Sequence, residues 1–301
     1  MFLNTVILKM PNNSSAIKSI FLACMGSALI GSSGIFVRLS DLGPLTTGFY
    51  RMLFALPLLA LWMGWEKQNG TILTILPRYH LIPYILAGAF FAFDLALWNW
   101  SIDHTTIVNS TLFNNTAAFF VPLIMWLFFR EKQSLRFLIT VSIGFMGCLF
   151  LIGESLSISY DNLFGDIVAL CSGLMVALYL ISLKRIRDES ATGFLMFWTG
   201  SISVLFLASF AYMSGESFWP LSMNDFTSIL GQALLVHVLG QSLLAYSLGK
   251  IPANYVALIL FLAPVSAAIL GWIFYGEALS LIKIIGIITI MVSILCVKKG
   301  D

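Results

Sequence analysis

The sequence predicts an all-α integral membrane protein of ten transmembrane helices, arranged as two inverted five-helix repeats. Three observations carry this. Of 301 residues, 59% are hydrophobic and only 10% are charged, against about 25% charged in a soluble domain. The apolar residues fall into continuous runs about 20 long, the length of a bilayer-spanning helix, and not into alternating segments about 10 long as in a barrel. Finally, the second half of the chain repeats the first. This composition excludes a soluble enzyme, a secreted disulfide scaffold, a nucleic-acid binder and any sizeable extramembrane domain.

Residues 1–16 form an expected cytoplasmic tail. Asn12, Asn13, Ser14 and Ser15 make it polar. It lacks a small-residue cleavage site, so no cleavable signal peptide is expected, and Met10 is an alternative start. Charged or Gly/Pro breaks then delimit the helices. Helix 1 (17–38) runs to Arg38, and helix 2 (45–65) follows Gly43-Pro44 and stops at Glu66-Lys67. Helix 3 (81–102) ends at Asp103, and helix 4 (105–129) at Arg130-Glu131. Helix 5 (135–153) opens behind Ser134, which reads as its N-cap. Helix 6 (163–183) ends at Lys184-Arg185, and helix 7 (193–214) at Gly215-Glu216. Helix 8 (226–248) lies between Asp225 and Gly249-Lys250, and helix 9 (252–275) ends at Gly276-Glu277. Helix 10 (281–297) opens behind Ser280, a second N-cap, and closes at Lys298. Glu131 and Glu277 beside those caps read as structural. Cys24, Cys148, Cys171 and Cys296 all fall in apolar runs and read as small core residues, without a disulfide or zinc framework.

Charge placement sets the orientation. With the N-terminus in the cytoplasm, 13 of the 16 basic residues lie inside: Lys9, Lys18, Lys67, Arg78, Arg130, Lys132, Arg136, Lys184, Arg185, Arg187, Lys250, Lys298 and Lys299. Arg38 and Lys283 fall outside, and Arg51 lies within helix 2. The acids Asp41, Asp103, Glu154, Asp161, Asp166, Glu216, Asp225 and Glu277 fall outside. Both termini are expected in the cytoplasm of a protein in the inner or plasma membrane.

An offset of 146 positions pairs Arg38 with Lys184, Ser101 with Ser247, Trp126 with Trp272, Glu131 with Glu277, and Ser134-Leu135 with Ser280-Leu281. An offset of 145 pairs Thr47-Gly48-Phe49 with Thr192-Gly193-Phe194. The repeats are 17–153 (helices 1–5) and 163–298 (helices 6–10). Five is odd, so the two repeats must cross the membrane in opposite senses. Inverted repeats place a substrate site near the midplane between the halves and support alternating access.

Further strings give the repeat a family likeness. The second repeat carries Leu262-Ala263-Pro264, Gly276-Glu277, Ser280-Leu281 and Gly286; the first carries Arg51, Arg130-Glu131, Ser134-Leu135 and Gly144. In this the chain resembles the drug/metabolite transporter superfamily, in particular its EamA-type members, over residues 17–298. Two departures stand out. Pro264 pairs with Ala118, the proline coming one turn later at Pro122, and Gly276 pairs with Arg130. Helix 4 is therefore expected to bend at a different depth from helix 9. The resemblance implies a central cavity among helices 1, 3, 4, 6, 8 and 9, and carriage of small metabolites, often amino acids and often outward.

Polar residues inside spans are costly and usually face protein or water. Helix 4 is richest in them, with Asn109, Ser110, Thr111, Asn114, Asn115 and Thr116. Amides donate and accept together, which suits a neutral or zwitterionic solute. Asn109, Asn114 and Asn115 are the expected substrate contacts; interhelical hydrogen bonding is the alternative use of such amides. Asp94 is the acid well inside a span, about 12 Å from the outer end of helix 3. It reads either as a structural partner of Arg51 or as a proton site and ammonium contact. His237, in mid-helix 8 with Gln241 one turn on, is a second proton-relay candidate. The offset pairs His237 with Phe91 and Asp94 with Gly240, so both titratable groups lie at similar levels. Trp98, Trp100, Tyr179, Tyr246 and Tyr255 are candidate aromatic lining. Trp65, Trp126, Trp219 and Trp272 read as interfacial belt residues. Ala263, Ala267 and Gly271 form a small-residue ridge on helix 9, read as helix packing.

A competing class rests on Gly31-Ser32-Ser33-Gly34 and His237-Val238-Leu239-Gly240. A Ser33–His237 dyad would make an intramembrane serine protease. Ten helices and the repeat argue against it. A lone intramembrane cation, Arg51, disfavours multiply anionic substrates. No P-loop string appears, so an ion or substrate gradient is the expected drive. The reading is a secondary transporter, not an enzyme, moving a small neutral or zwitterionic metabolite, best an amino acid or related compound, outward with proton coupling; an importer or exchanger of a larger metabolite is the alternative. The expected partners are the solute and the lipid bilayer, with a homodimer compatible. No nucleic acid, cofactor or metal is expected.

Overall fold

A lipid environment offers backbone N–H and C=O groups no partner, so apolar runs of this length must satisfy them internally as helices. The computed structural model describes residues 14–37, 39–69, 81–153, 159–188, 190–219 and 222–296. Within them the chain forms α1 (Ser15–Val37), α2 (Pro44–Gln68), α3 (Leu81–Ile102), α4 (Val108–Phe129), α5 (Leu135–Ile152), α6 (Leu163–Arg187), α7 (Thr192–Ser214), α8 (Met223–Leu248), α9 (Ala253–Tyr275) and α10 (Leu281–Cys296). The first nine are long and apolar enough to cross a membrane; α10 is shorter. The molecule is an all-α integral membrane protein. Met10, Lys9, Arg38, Arg78, Glu154, Lys298 and Lys299 lie outside the described residues.

Helix ends follow capping chemistry more closely than hydropathy. Ser134 Oγ accepts the Phe137 N–H at 3.1 Å, as expected of an N-cap. Ser222 and Asp225 form a reciprocal capping box, which starts α8 at Met223, ahead of its apolar stretch. The C-caps of α4 and α9 are Arg130 and Gly276, paired by the repeat, and both adopt the left-handed conformation with φ of 56° and 66°. Glycine pays nothing for that conformation and arginine does.

Four helices depart from regularity. In α1 the Ser32 hydroxyl donates to the Leu29 carbonyl at 2.6 Å, and the helix restarts at Ser33. α8 widens into a π-helical stretch, Gln232–Gln241. α9 breaks between Ile259 and Leu262, because Pro264 has no N–H for the Leu260 carbonyl; the Ala263 N–H takes it at 2.9 Å. α4 breaks between Asn114 and Ala117, one residue along from the equivalent position in the repeat. The expected difference in bend depth is thus corrected. In α4 the break is made not by Pro122 but by side chains that capture helix carbonyls: Asn115 Nδ2 donates to Thr111 O at 2.8 Å and Thr116 Oγ1 to Phe113 O at 2.5 Å.

Two pairs of helices related by the offset, α2 with α7 and α5 with α10, pack against each other antiparallel. α2 lies along α7. At one end Glu66 accepts the first-turn N–H groups of Gly193 and Phe194 at 3.0 and 3.2 Å. At the other Glu216 accepts those of Leu45 and Thr46 at 3.2 and 2.7 Å. Each helix start, with its orphan N–H groups and positive dipole end, thus meets a carboxylate from its counterpart. α5 and α10 behave alike. A Cβ on Gly144 would lie 2.8 Å from Ser293 Oγ, and one on Gly147 2.7 Å from Ile290 Cγ1. These two contacts exchange under the 146-residue offset. Outward, Trp65, Trp126, Trp219 and Trp272 are all exposed.

Candidate functional site

The broken helices surround a cavity of about 270 Å³. Helices α1, α3, α4, α6, α8 and α9 all contribute lining, and α2 adds Arg51. A second chamber of about 210 Å³ adjoins it and shares Ser33, Val37, Arg51, Leu95, Trp98 and Ile102. The lining runs from mid-helix residues such as Asn114 and Leu260 toward the end that carries Asp103, Ser40 and Glu277. The opposite, basic end is closed. There Lys184 Nζ donates to Leu248 O at 2.8 Å, Arg187 Nη1 to Ser190 O at 2.8 Å, and Asn254 Nδ2 to Gln133 Oε1 at 2.6 Å. The Tyr84 hydroxyl closes on Ser190 Oγ in the same layer.

The polar centre of the cavity is built by three helices. Asn114, last residue before the α4 break, donates one amide hydrogen to Asp94 Oδ1 of α3 at 2.8 Å and the other to Ser172 Oγ of α6 at 2.6 Å. Both amide hydrogens of Asn114 are thus spent inside the protein, one on the carboxylate and one on the Ser172 hydroxyl. Asp94 and Arg51 are both buried, at 8% and 6% exposed, and both line the cavity. No direct ion pair joins them; among the described residues the side-chain ion pair is Lys184 with Asp188 at 3.0 Å. The Arg51 guanidinium sits over the Phe91 ring, 6.0 Å from its centroid, and its Nε has no partner. Phe91 stacks in turn on Tyr179 at 4.8 Å.

Of the residues expected from sequence, Asp94, Trp98, Asn114, Asn115, Tyr179 and Gln241 line the cavity. Arg51, expected as a structural charge, lines it as well. Asn109 does not. It lies in the first turn after the Thr106 N-cap, fully buried, and donates to Asp166 Oδ1 of α6 at 3.0 Å, so it ties two helices together near the acidic end. His237 is likewise set behind the wall. It is 1% exposed, its two ring nitrogens have no partner, and its ring packs on Phe91 at 5.5 Å. Phe91 and His237 are paired by the 146-residue offset in sequence. With no partner at either nitrogen, no Ser33–His237 dyad exists.

The remaining aromatic candidates face elsewhere. Trp100 is exposed against His104 and Phe164. Tyr246 lies under Arg187, and Tyr255 is buried on Phe137. Sequence reasoning missed Ser172, whose signal is faint: one serine among small residues of helix 6. It also left Arg51 out of the cavity, though a lone arginine in a span is a strong signal in itself.

Comparison with known proteins gives a consistent picture. The EamA-like transporter family model matches residues 17–153 and again 163–298. An uncharacterized transporter of Archaeoglobus fulgidus is 27% identical over 290 residues, covering 91% of this chain and 95% of that one. The threonine/homoserine exporter RhtA of Escherichia coli is 28% identical over 159 residues, 53% of each chain. A crystal structure of another protein, 12% identical, matches the fold with a TM-score of 0.76 over 95% of this chain and 96% of that chain.

Proposed function

The chain belongs to the EamA-like transporter family, and on that premise we propose that it carries a small zwitterionic metabolite, an amino acid or close relative, outward by alternating access coupled to protons. It is a transmembrane transporter, not an enzyme. One observation carries the substrate reading: a buried acid, Asp94, and a buried base, Arg51, stand on one cavity without pairing with each other. A zwitterion supplies the missing partner of each. Its ammonium meets Asp94, held in place by Asn114; its carboxylate meets Arg51. Two buried charges without ion-pair partners are costly, and a ligand that neutralises both recovers that cost. Asn115, Trp98, Tyr179 and Gln241 complete the contact surface.

The alternating-access reading is supported by the antiparallel packing of repeat-equivalent helices, as inverted repeats require. The cavity reaches the acidic end while the basic end is sealed, which corresponds to an outward-facing state when both termini are cytoplasmic. Rocking of one repeat against the other would exchange the two ends. Asp94 is the proton site in this scheme, and His237, wedged between the repeats on Phe91, is a second. The membrane is the inner or plasma membrane, and a homodimer is compatible with the exposed apolar surface. The name of the exporter RhtA supports outward transport.

The test is flux in proteoliposomes loaded with labelled amino acids, with and without an imposed pH gradient. Saturable flux that follows the gradient is expected. Saturable flux indifferent to pH removes the coupling. Absence of amino-acid flux, with other metabolites carried, overturns the substrate reading.

A further inference from the structure

We propose that the cavity holds its solute in one orientation, with the charged end against α2, α3, α4 and α6 and an uncharged, apolar side chain against α1, α8 and α9, so that amino acids with apolar side chains are preferred. This rests on the amino-acid reading above and goes beyond it.

The argument is the asymmetry of two equivalent places. Under the repeat, Asp94, Asn114 and Ser172 correspond to Gly240, Leu260 and Gly26. The first three form the hydrogen-bonded centre. At the second place α1 and α8 close backbone on backbone: a Cβ on Gly26 would lie 2.7 Å from Gly240 O, and one on Gly240 3.2 Å from Gly26 O. The asparagine is replaced by Leu260, which lines the cavity. Leu244, Ala263, Ala267 and Gly271 extend this apolar surface. Gln241, Ser33 and Tyr275 are the polar side chains on that side, the Tyr275 hydroxyl donating to Ile35 O at 3.4 Å, with Glu277 toward the mouth. A second observation fixes the ligand's other end: Arg51, 6% exposed with an unpartnered Nε, lies on the same cavity. The solute's charges are therefore held on one side, and its remainder is pressed on a surface poor in hydrogen-bond partners. A hydroxyl or amide there loses water without replacement, whereas a methylene gains. A hydrophobic pocket discriminates by about tenfold or more per added methylene.

The test is competition and KM in proteoliposomes with alanine, serine, threonine, leucine and phenylalanine. Leucine and phenylalanine are expected to bind at least about tenfold better than serine. Leu260→Asn, which gives α9 the amide of α4, is expected to shift the leucine-to-serine ratio about tenfold toward serine. Ala267→Leu, which fills the apolar side, is expected to weaken leucine and phenylalanine more than alanine. Monodispersity in gel filtration checks folding, and where Leu260→Asn fails it, the wild-type series and Ala267→Leu decide. Preference for serine or threonine in the wild type, or variants that shift every solute alike, would overturn the proposal while leaving amino-acid carriage standing. Carriage of no amino acid overturns the reading beneath it, and the proposal with it.

Discussion

Replacing Asp94 by asparagine isolates the charge at the polar centre. The amide matches the carboxylate in shape, and its oxygen can still accept from Asn114, where Oδ1 now does so at 2.8 Å. The Asn114–Ser172 bond at 2.6 Å is untouched. Folding stability should therefore fall by no more than about 1 kcal/mol. What disappears is one charge-assisted contact to the solute ammonium, worth about 1.5–3 kcal/mol. At 1.4 kcal/mol per decade that is a rise in KM of roughly 10- to 150-fold. The assay is counterflow in proteoliposomes, which needs binding and rocking but no gradient, beside gradient-driven accumulation, which needs a proton site. Asp94→Asn should raise the counterflow KM by that factor and abolish the response to the pH gradient. An unchanged KM together with an unchanged pH response would refute both roles. A lower midpoint of thermal unfolding with KM intact would reassign Asp94 to structure.

Four further predictions follow from the packing. A Cβ on Gly286 would lie 2.5 Å from Leu151 N and 2.7 Å from Gly147 O, both backbone, so Gly286→Ala should cost about 1–3 kcal/mol in detergent unfolding. Arg130→Gly relieves a left-handed residue at φ 56°; against relief of about 1–2 kcal/mol stands an entropic cost of about 0.5–1, so stability should rise by about 0.5–1 kcal/mol. Asn109→Ala removes the 3.0 Å bond to Asp166 and should lower stability by about 1–2 kcal/mol with KM unaltered, since the residue is off the cavity. Burial raises the Glu131 carboxyl above its ordinary value, so folding favours the protonated acid. That contribution is present in acid and lost as pH rises through the raised value; Glu131→Gln should therefore stabilise at neutral pH and not in acid, read from unfolding midpoints at each pH.

Much of the fold is legible because its determinants are local or periodic. Run length and hydropathy locate the helices, and Ser134 marks a cap whatever the helix packs against. The breaks were less legible. Pro264 announces the one in α9, but the one in α4 arises from Asn115 and Thr116 bonding back to their own helix, a competition that many asparagines and threonines lose. The site divides the same way. Asp94, Asn114 and Tyr179 stand out as polar groups in apolar spans. Asn109 has the same chemistry five residues before Asn114, yet it serves α6 and not the cavity, because the first turn of α4 meets Asp166 there.

Composition, periodicity and the internal repeat determined the class of protein, the helices and their pairing by offset, since each depends on neighbours in the chain. The tertiary structure decided which polar side chains share a cavity, which end of it is sealed, and that Arg51 and Asp94 stand there unpaired. Those outcomes depend on distances between residues far apart in sequence, set by how glycines and small side chains let helices approach. A list of residues does not contain them.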